Sequence, residues 1–142
     1  MRYLLKRSFV CPFCKLDHDD SVSVCPKTDK RLTVVHKMGG TTLGGKYKVE
    51  GVLGAGGMGV VYEGLHRSIN RRVAIKFLSP ERIGNAEVRE RFINEAKLAA
   101  SLGHKNIVAV LDMGETGEGV PYIVMEYLDG ESLGALLERK TR

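Results

Sequence analysis

From Tyr47 onward the chain switches between two hydrophobic periods. Tyr47 to Leu53 alternates as a strand does, with Tyr47, Val49 and then Val52 or Leu53 turned inward. Val60-Val61-Tyr62-Glu63-Gly64-Leu65 is a second β-rich run, and Arg71 to Leu78 is a third, entered through the turn Ser68-Ile69-Asn70. From Ala86 to Leu102 the period changes: Val88, Phe92, Ala96 and Ala99 recur at spacings of three and four and predict one apolar stripe on a helix. Glu95 lies on that stripe, where a carboxylate facing a core is costly unless a cation from another element pairs with it. Gly103 predicts the C-cap. Ile107 to Met113 and Val120 to Leu128 predict two further strands joined by the glycine-rich residues 114–119, and Ser132 to Lys140 begins another helix with Leu133, Leu136 and Leu137 on one side.

The first 45 residues follow no such pattern. Residues 36–45 hold four glycines and read as a linker, leaving residues 1–35 as a small appendage. The appendage carries every cysteine, Cys11 and Cys14 in a C-x-x-C pair and Cys25 beyond them. In a reducing compartment two thiolates at that spacing fit one tetrahedral zinc, with Cys25 returning as a third ligand. Thr28 stands where a fourth cysteine is expected, and His18, His36 or Asp29 could complete the set. A degenerate ribbon without metal is the competing reading; a redox C-x-x-C would need a βαβ setting that this segment lacks.

Charge separates the same two regions. Of the net charge of +5 in 142 residues, residues 1–46 hold nine Lys/Arg against four Asp, whereas the remainder is balanced at thirteen against thirteen. The basic residues are mixed with Asp17, Asp19, Asp20 and Asp29 and lack interleaved aromatics, which argues for a solvated surface and against a nucleic-acid partner. No apolar run approaches the ~18 residues of a membrane span. Lys6 and Arg7 interrupt any leader-like core, so a cytoplasmic chain is expected.

The candidate chemistry lies between the first two strands. Gly54, Gly56 and Gly59, within Leu53-Gly54-Ala55-Gly56-Gly57-Met58-Gly59-Val60-Val61, let a turn approach a phosphate chain with no Cβ in the way. In a dinucleotide-binding unit such glycines open a helix and an acidic residue follows about 20 positions on. Here a strand follows, and about that far on stands Lys76, within Val73-Ala74-Ile75-Lys76.

These two motifs together resemble the amino-terminal lobe of a protein kinase, which pairs G-x-G-x-x-G-x-V with V-A-I-K. Lys46-Tyr47-Lys48-Val49, Gly56-Gly57-Met58-Gly59 and Tyr122-Ile123-Val124-Met125-Glu126-Tyr127-Leu128 resemble the eukaryotic-like (Hanks-type) serine/threonine kinases of bacteria. His104-Lys105-Asn106-Ile107-Val108 resembles that family's H-P-N-I-V connector, with Lys105 replacing proline. The resemblance covers residues 46–142 and implies an α+β fold: a five-stranded antiparallel sheet with one main helix, then a hinge and the start of a further helix. It implies ATP as ligand and protein as substrate. The loop 53–61 would roof the phosphates, Lys76 would contact them, and Glu95 would ion-pair with Lys76. Val61 and Ala74 would lie against the adenine and Met125 behind it. The backbone of Glu126 and Leu128 would bond the adenine edge, and Glu131 the ribose. The 142 residues contain no H-R-D-x-x-x-x-N, D-F-G or A-P-E, so the base and the Mg2+ ligands of the family are not found among them. The expectation is therefore the ATP-binding part of a kinase, inactive by itself, with a non-catalytic nucleotide-binding or kinase-docking module as the alternative.

Overall fold

A computed structural model describes residues 7–10, 17–18, 24–27, 29, 33–36, 39–55, 59–79 and 82–141. The amino-terminal strands β1 (Arg7–Val10), β2 (Asp17–His18) and β3 (Thr33–His36) make a separate antiparallel sheet in the order β2-β1-β3. Cys11 and Cys14 lie outside the described residues. Cys25 is fully buried, in a tight turn whose Asp29 N–H donates to the Cys25 carbonyl at 2.8 Å.

The second sheet follows the predicted runs closely: β5 (Tyr47–Ala55), β6 (Gly59–His66), β7 (Arg71–Leu78), β8 (Val110–Glu115) and β9 (Pro121–Glu126). A sixth strand, β4 (Thr42–Leu43), joins the edge, giving the order β4-β5-β6-β7-β9-β8, antiparallel throughout. It forms within the stretch read as a linker because Leu43 is an apolar residue among glycines: it is 5% exposed and belongs to the core. Gly44 and Gly45, both at positive φ, make the turn that returns the chain to Tyr47. The strand predicted from Ile107 starts at Val110, since residues 103–109 are taken up by the C-cap and turn after the helix.

Strand parity divides the apolar residues into two cores. Val60 and Tyr62 of β6, Val73, Ile75 and Phe77 of β7, and Tyr122 and Val124 of β9 pack with Leu43, Tyr47 and Val49 on one face. On the other face Leu78 and Ile123 meet Phe92 and Ala96 of the helix α1 (Ala86–Leu102). The helix begins where Asn85 accepts from the Glu87 and Val88 N–H groups at 3.1 and 3.2 Å and ends at Gly103 with φ 51°, each orphan end thereby answered.

Register shifts in β5 bend the sheet. They explain why the inward residues step from Val49 to Val52, which strict alternation does not allow. A similar shift at Leu111 turns Asp112 to the side of Val124. The Tyr47 hydroxyl then donates to Asp112 Oδ2 at 2.9 Å. Because β6, β7 and β9 lie between β5 and β8, a flat sheet would separate these strands by about 19 Å; the bond therefore requires the sheet to curl until its far sides meet. Burial first, and the bond to Asp112 second, push the Tyr47 phenol from 10.0 up to about 12.

Tyr47→Phe should cost about 1 kcal/mol in urea unfolding at neutral pH. A raised phenol favours the fold in its protonated form, so the wild-type contribution is complete below pH 10 and is lost as pH rises toward 12. The variant should show a shallower decline over that window, with the remainder coming from Tyr122, whose phenol burial also raises.

Candidate nucleotide site

β7 is paired on both sides, and its register assembles the site. Val61 stands opposite Lys76 and Lys76 opposite Ile123, while Glu63 stands opposite Ala74 and Ala74 opposite Met125. Directly opposed residues share a face, so Val61, Ala74, Lys76 and Met125 all lie on the face that α1 also covers. Ala74 and Lys76 are two residues apart, which is about 6.7 Å along a strand. One rung thus offers small apolar surface and the next offers a cation. Ala74 is buried, and Val61, Lys76 and Met125 are half-buried.

The two described glycines that flank the turn between β5 and β6 differ in kind. Gly54, opposite Val61, has open space where a Cβ would stand. Gly59 does not: a Cβ there would come within 1.9 Å of the Phe77 carbonyl oxygen. Gly59 is therefore required by the close approach of β6 to β7, a role that the phosphate reading of this glycine missed. Leu53 is half-buried and Val60 buried; Gly56, Gly57 and Met58 lie outside the described residues, as does the Ala55 side chain.

The structure does not bring Lys76 and Glu95 together. Glu95 is exposed, on the outer side of α1 with Glu87, Arg91 and Leu98. The helix turns Phe92 and Ala96 to the sheet, and Glu95 falls at the edge of the apolar stripe, so the burial cost that would demand a cation is absent. Lys76 Nζ lies 6.0 Å from the centroid of the Phe92 ring. Among the described residues no carboxylate is within ion-pair distance of it.

Past β9 the chain runs through exposed residues 128–132 into the helix α2 (Leu133–Lys140), capped by Ser132. Glu126 is held by Ala109 twice, its N–H donating to the Ala109 carbonyl at 3.0 Å and its Oε1 accepting from the Ala109 N–H at 2.9 Å. That N–H is thus not free for a ligand. The Leu128 N–H has no partner among the described residues. Glu131 Oε1 accepts from Arg139 at 2.7 Å. His104 Nδ1 accepts from the Asn106 N–H at 3.0 Å, consistent with a structural histidine.

Two side chains near this segment escaped the sequence reading. Arg72 donates from Nε to Glu63 Oε1 at 2.7 Å, and its guanidinium carbon lies 4.0 Å from the centroid of Tyr127. Only the register of β7 against β9 brings residues 72 and 127 together, and no local motif encodes it.

Among the described residues no cluster of three His, Cys, Asp or Glu side chains could hold a metal. No helix among them is long and apolar enough to cross a membrane.

The family model described as Protein kinase domain matches residues 47–142. Serine/threonine-protein kinase PknA of Mycobacterium tuberculosis is 42% identical over 107 residues, which are 72% of this chain and 25% of that protein. Serine/threonine-protein kinase PksC of Streptomyces coelicolor is 44% identical over 102 residues, 70% of this chain and 18% of its own length. The crystal structure of the Mycobacterium tuberculosis PknI kinase domain superposes with a TM-score of 0.61 at 37% identity, covering 71% of this chain and 39% of that one. The chain therefore spans a quarter or less of these two curated relatives.

Alanine at the two glycines should separate their roles. Gly59→Ala should lose about 1–3 kcal/mol in chemical denaturation through overpacking, whereas Gly54→Ala should stay within about 0.5 kcal/mol of wild type.

Proposed function

The chain belongs to the protein kinase family, and from that membership we propose that residues 46–142 form the ATP-binding portion of a serine/threonine protein kinase, which transfers the γ-phosphate of ATP to protein. The observation that carries the proposal is the shared face of Val61, Ala74, Lys76 and Met125, with the Lys76 ammonium free of any carboxylate among the described residues. An anion fits there; a second buried cation does not.

In this reading Val61 and Ala74 contact the adenine ring and Met125 closes the pocket behind it. The Glu126 carbonyl and the Leu128 N–H meet the adenine edge. The amides of residues 53–61 and the Lys76 ammonium bind the phosphates, which charge-assisted hydrogen bonds favour. Glu95 would pair with Lys76 once α1 turns it inward, and Glu131 would reach a ribose only after releasing Arg139. Positioning and charge neutralisation make up most of what a protein contributes to phosphoryl transfer; these residues supply the nucleotide half of it. Mg2+ ligands and a catalytic base would come from elsewhere. A cytoplasmic setting belongs to the same proposal, because ATP is abundant there. Leu98, Leu102, Leu128, Leu133 and Leu137, each more than half exposed, favour a second reading in which the chain docks another lobe.

Calorimetric titration tests the nucleotide reading. Wild-type chain should bind ATP, and Lys76→Ala should weaken binding by about 10- to 100-fold, the worth of a hydrogen bond to a charged group. Absence of ATP binding, or phosphate transfer that survives in Lys76→Ala, would overturn the assignment.

For residues 1–35 the proposal is a zinc-ribbon-like fold in which Cys11, Cys14 and Cys25 share one zinc ion with His18, His36 or Asp29 as fourth ligand. The C-x-x-C spacing and the burial of Cys25 support it. Elemental analysis after expression with zinc present should find about one zinc per chain in such a site, and a content near zero rejects it.

A further inference from the structure

The face that carries Ala74 and Lys76 continues one rung in the other direction to Arg72, opposite Leu65, while Glu63 stands on the rung of Ala74 itself. Arg72 has the parity of Ala74 on β7, and Tyr127 has the parity of Met125 on β9 just past the strand's last residue, Glu126. The guanidinium carbon of Arg72 lies 4.0 Å from the Tyr127 ring centroid, while its Nε is fixed by Glu63 Oε1 at 2.7 Å. Asp129 adds a favourable charge nearby. One cation thus ties the sheet to the segment leaving β9.

The covalent geometry of that segment gives the tie a consequence. The Glu126 carbonyl belongs to the peptide unit before Tyr127, and the Leu128 N–H belongs to the unit after it. Peptide units are planar and rotate only about the Cα atoms that join them. Holding the Tyr127 side chain therefore fixes the position of the Cα about which both units pivot. Ala109 already fixes the preceding residue through two hydrogen bonds to Glu126; beyond Tyr127 the chain is exposed, with no hydrogen-bonded anchor before Glu131 among the described residues.

We infer that Arg72 is a positioning residue for adenine: it clamps Tyr127 so that the Glu126 carbonyl and the Leu128 N–H face the base. The inference rests on the ATP reading above and adds a determinant of base binding that touches no ligand atom. It requires a planar cation at position 72 and an aromatic ring at position 127, and neither the phenol oxygen nor the phosphates enter into it.

Titration of the 142-residue chain with ATP and, separately, with inorganic tripolyphosphate tests it. Arg72→Ala and Tyr127→Ala should each weaken ATP binding by about two- to fivefold, the range of an exposed cation–π contact, and leave tripolyphosphate binding unchanged. Tyr127→Phe should keep wild-type affinity, and Arg72→Lys should fall between wild type and Arg72→Ala. ATP affinity unchanged in Arg72→Ala, or an equal loss for ATP and tripolyphosphate, overturns the inference while leaving the ATP reading intact. Failure of the wild-type chain to bind ATP removes the reading and the inference together.

Discussion

The phase of β7 is the constraint on which the rest of the molecule depends. Val73, Ile75 and Phe77 are almost wholly buried on one face, and pairing with β6 and β9 on both sides leaves the strand no free edge along which to slip. A shift of one residue would exchange the faces. Lys76 would then enter the aromatic core formed with Tyr62 and Tyr122, where an unpaired ammonium costs several kcal/mol, and Ile75 would take its place in the cleft. The core residues that contribute nothing to chemistry thus fix where the cation stands.

Closure of the sheet is a second-order consequence of local irregularity. The bulge in β8 turns Asp112 to the face that carries Tyr47, and glycines occur where neighbouring groups crowd a side chain. A Cβ at Gly64 would meet Ile75 Cδ1 at 2.4 Å, and one at Gly114 would meet the Tyr122 hydroxyl at 2.6 Å. Several glycines of this glycine-rich chain therefore serve packing, and the contrast between Gly54 and Gly59 shows both uses within one motif.

The strands, the long helix from Ala86 and its Gly103 boundary were legible because each rests on a local period or cap. Lys76 and the residues around it were legible through the spacing of two motifs. Other features were hidden because they depend on relations between distant strands: the joining of Leu43 to the core across a stretch of glycines, the bond from Tyr47 to Asp112, and the contact of Arg72 with Tyr127. The exposure of Glu95 was hidden for a different reason. Spacing put it on the apolar stripe, but a residue at the stripe's margin can face either way, and period alone does not say which.

An exposed glutamate loses no hydration by staying where it is, and an ion pair formed in water is worth about 0–1 kcal/mol. Lys76 alone therefore provides little force to turn α1, whose first half is meanwhile held by the ion pair of Arg89 with Glu115 of β8 and by the seating of Phe92. A phosphate chain bound at Lys76 does not itself attract a carboxylate. What changes the balance is the removal of water: once the cleft is covered, the effective dielectric falls, and the same two charges interact several times more strongly. In the proposed reading, pairing of Lys76 with Glu95 would belong to a closed site, and the separation of the two residues is what elementary electrostatics favours for charges standing in solvent.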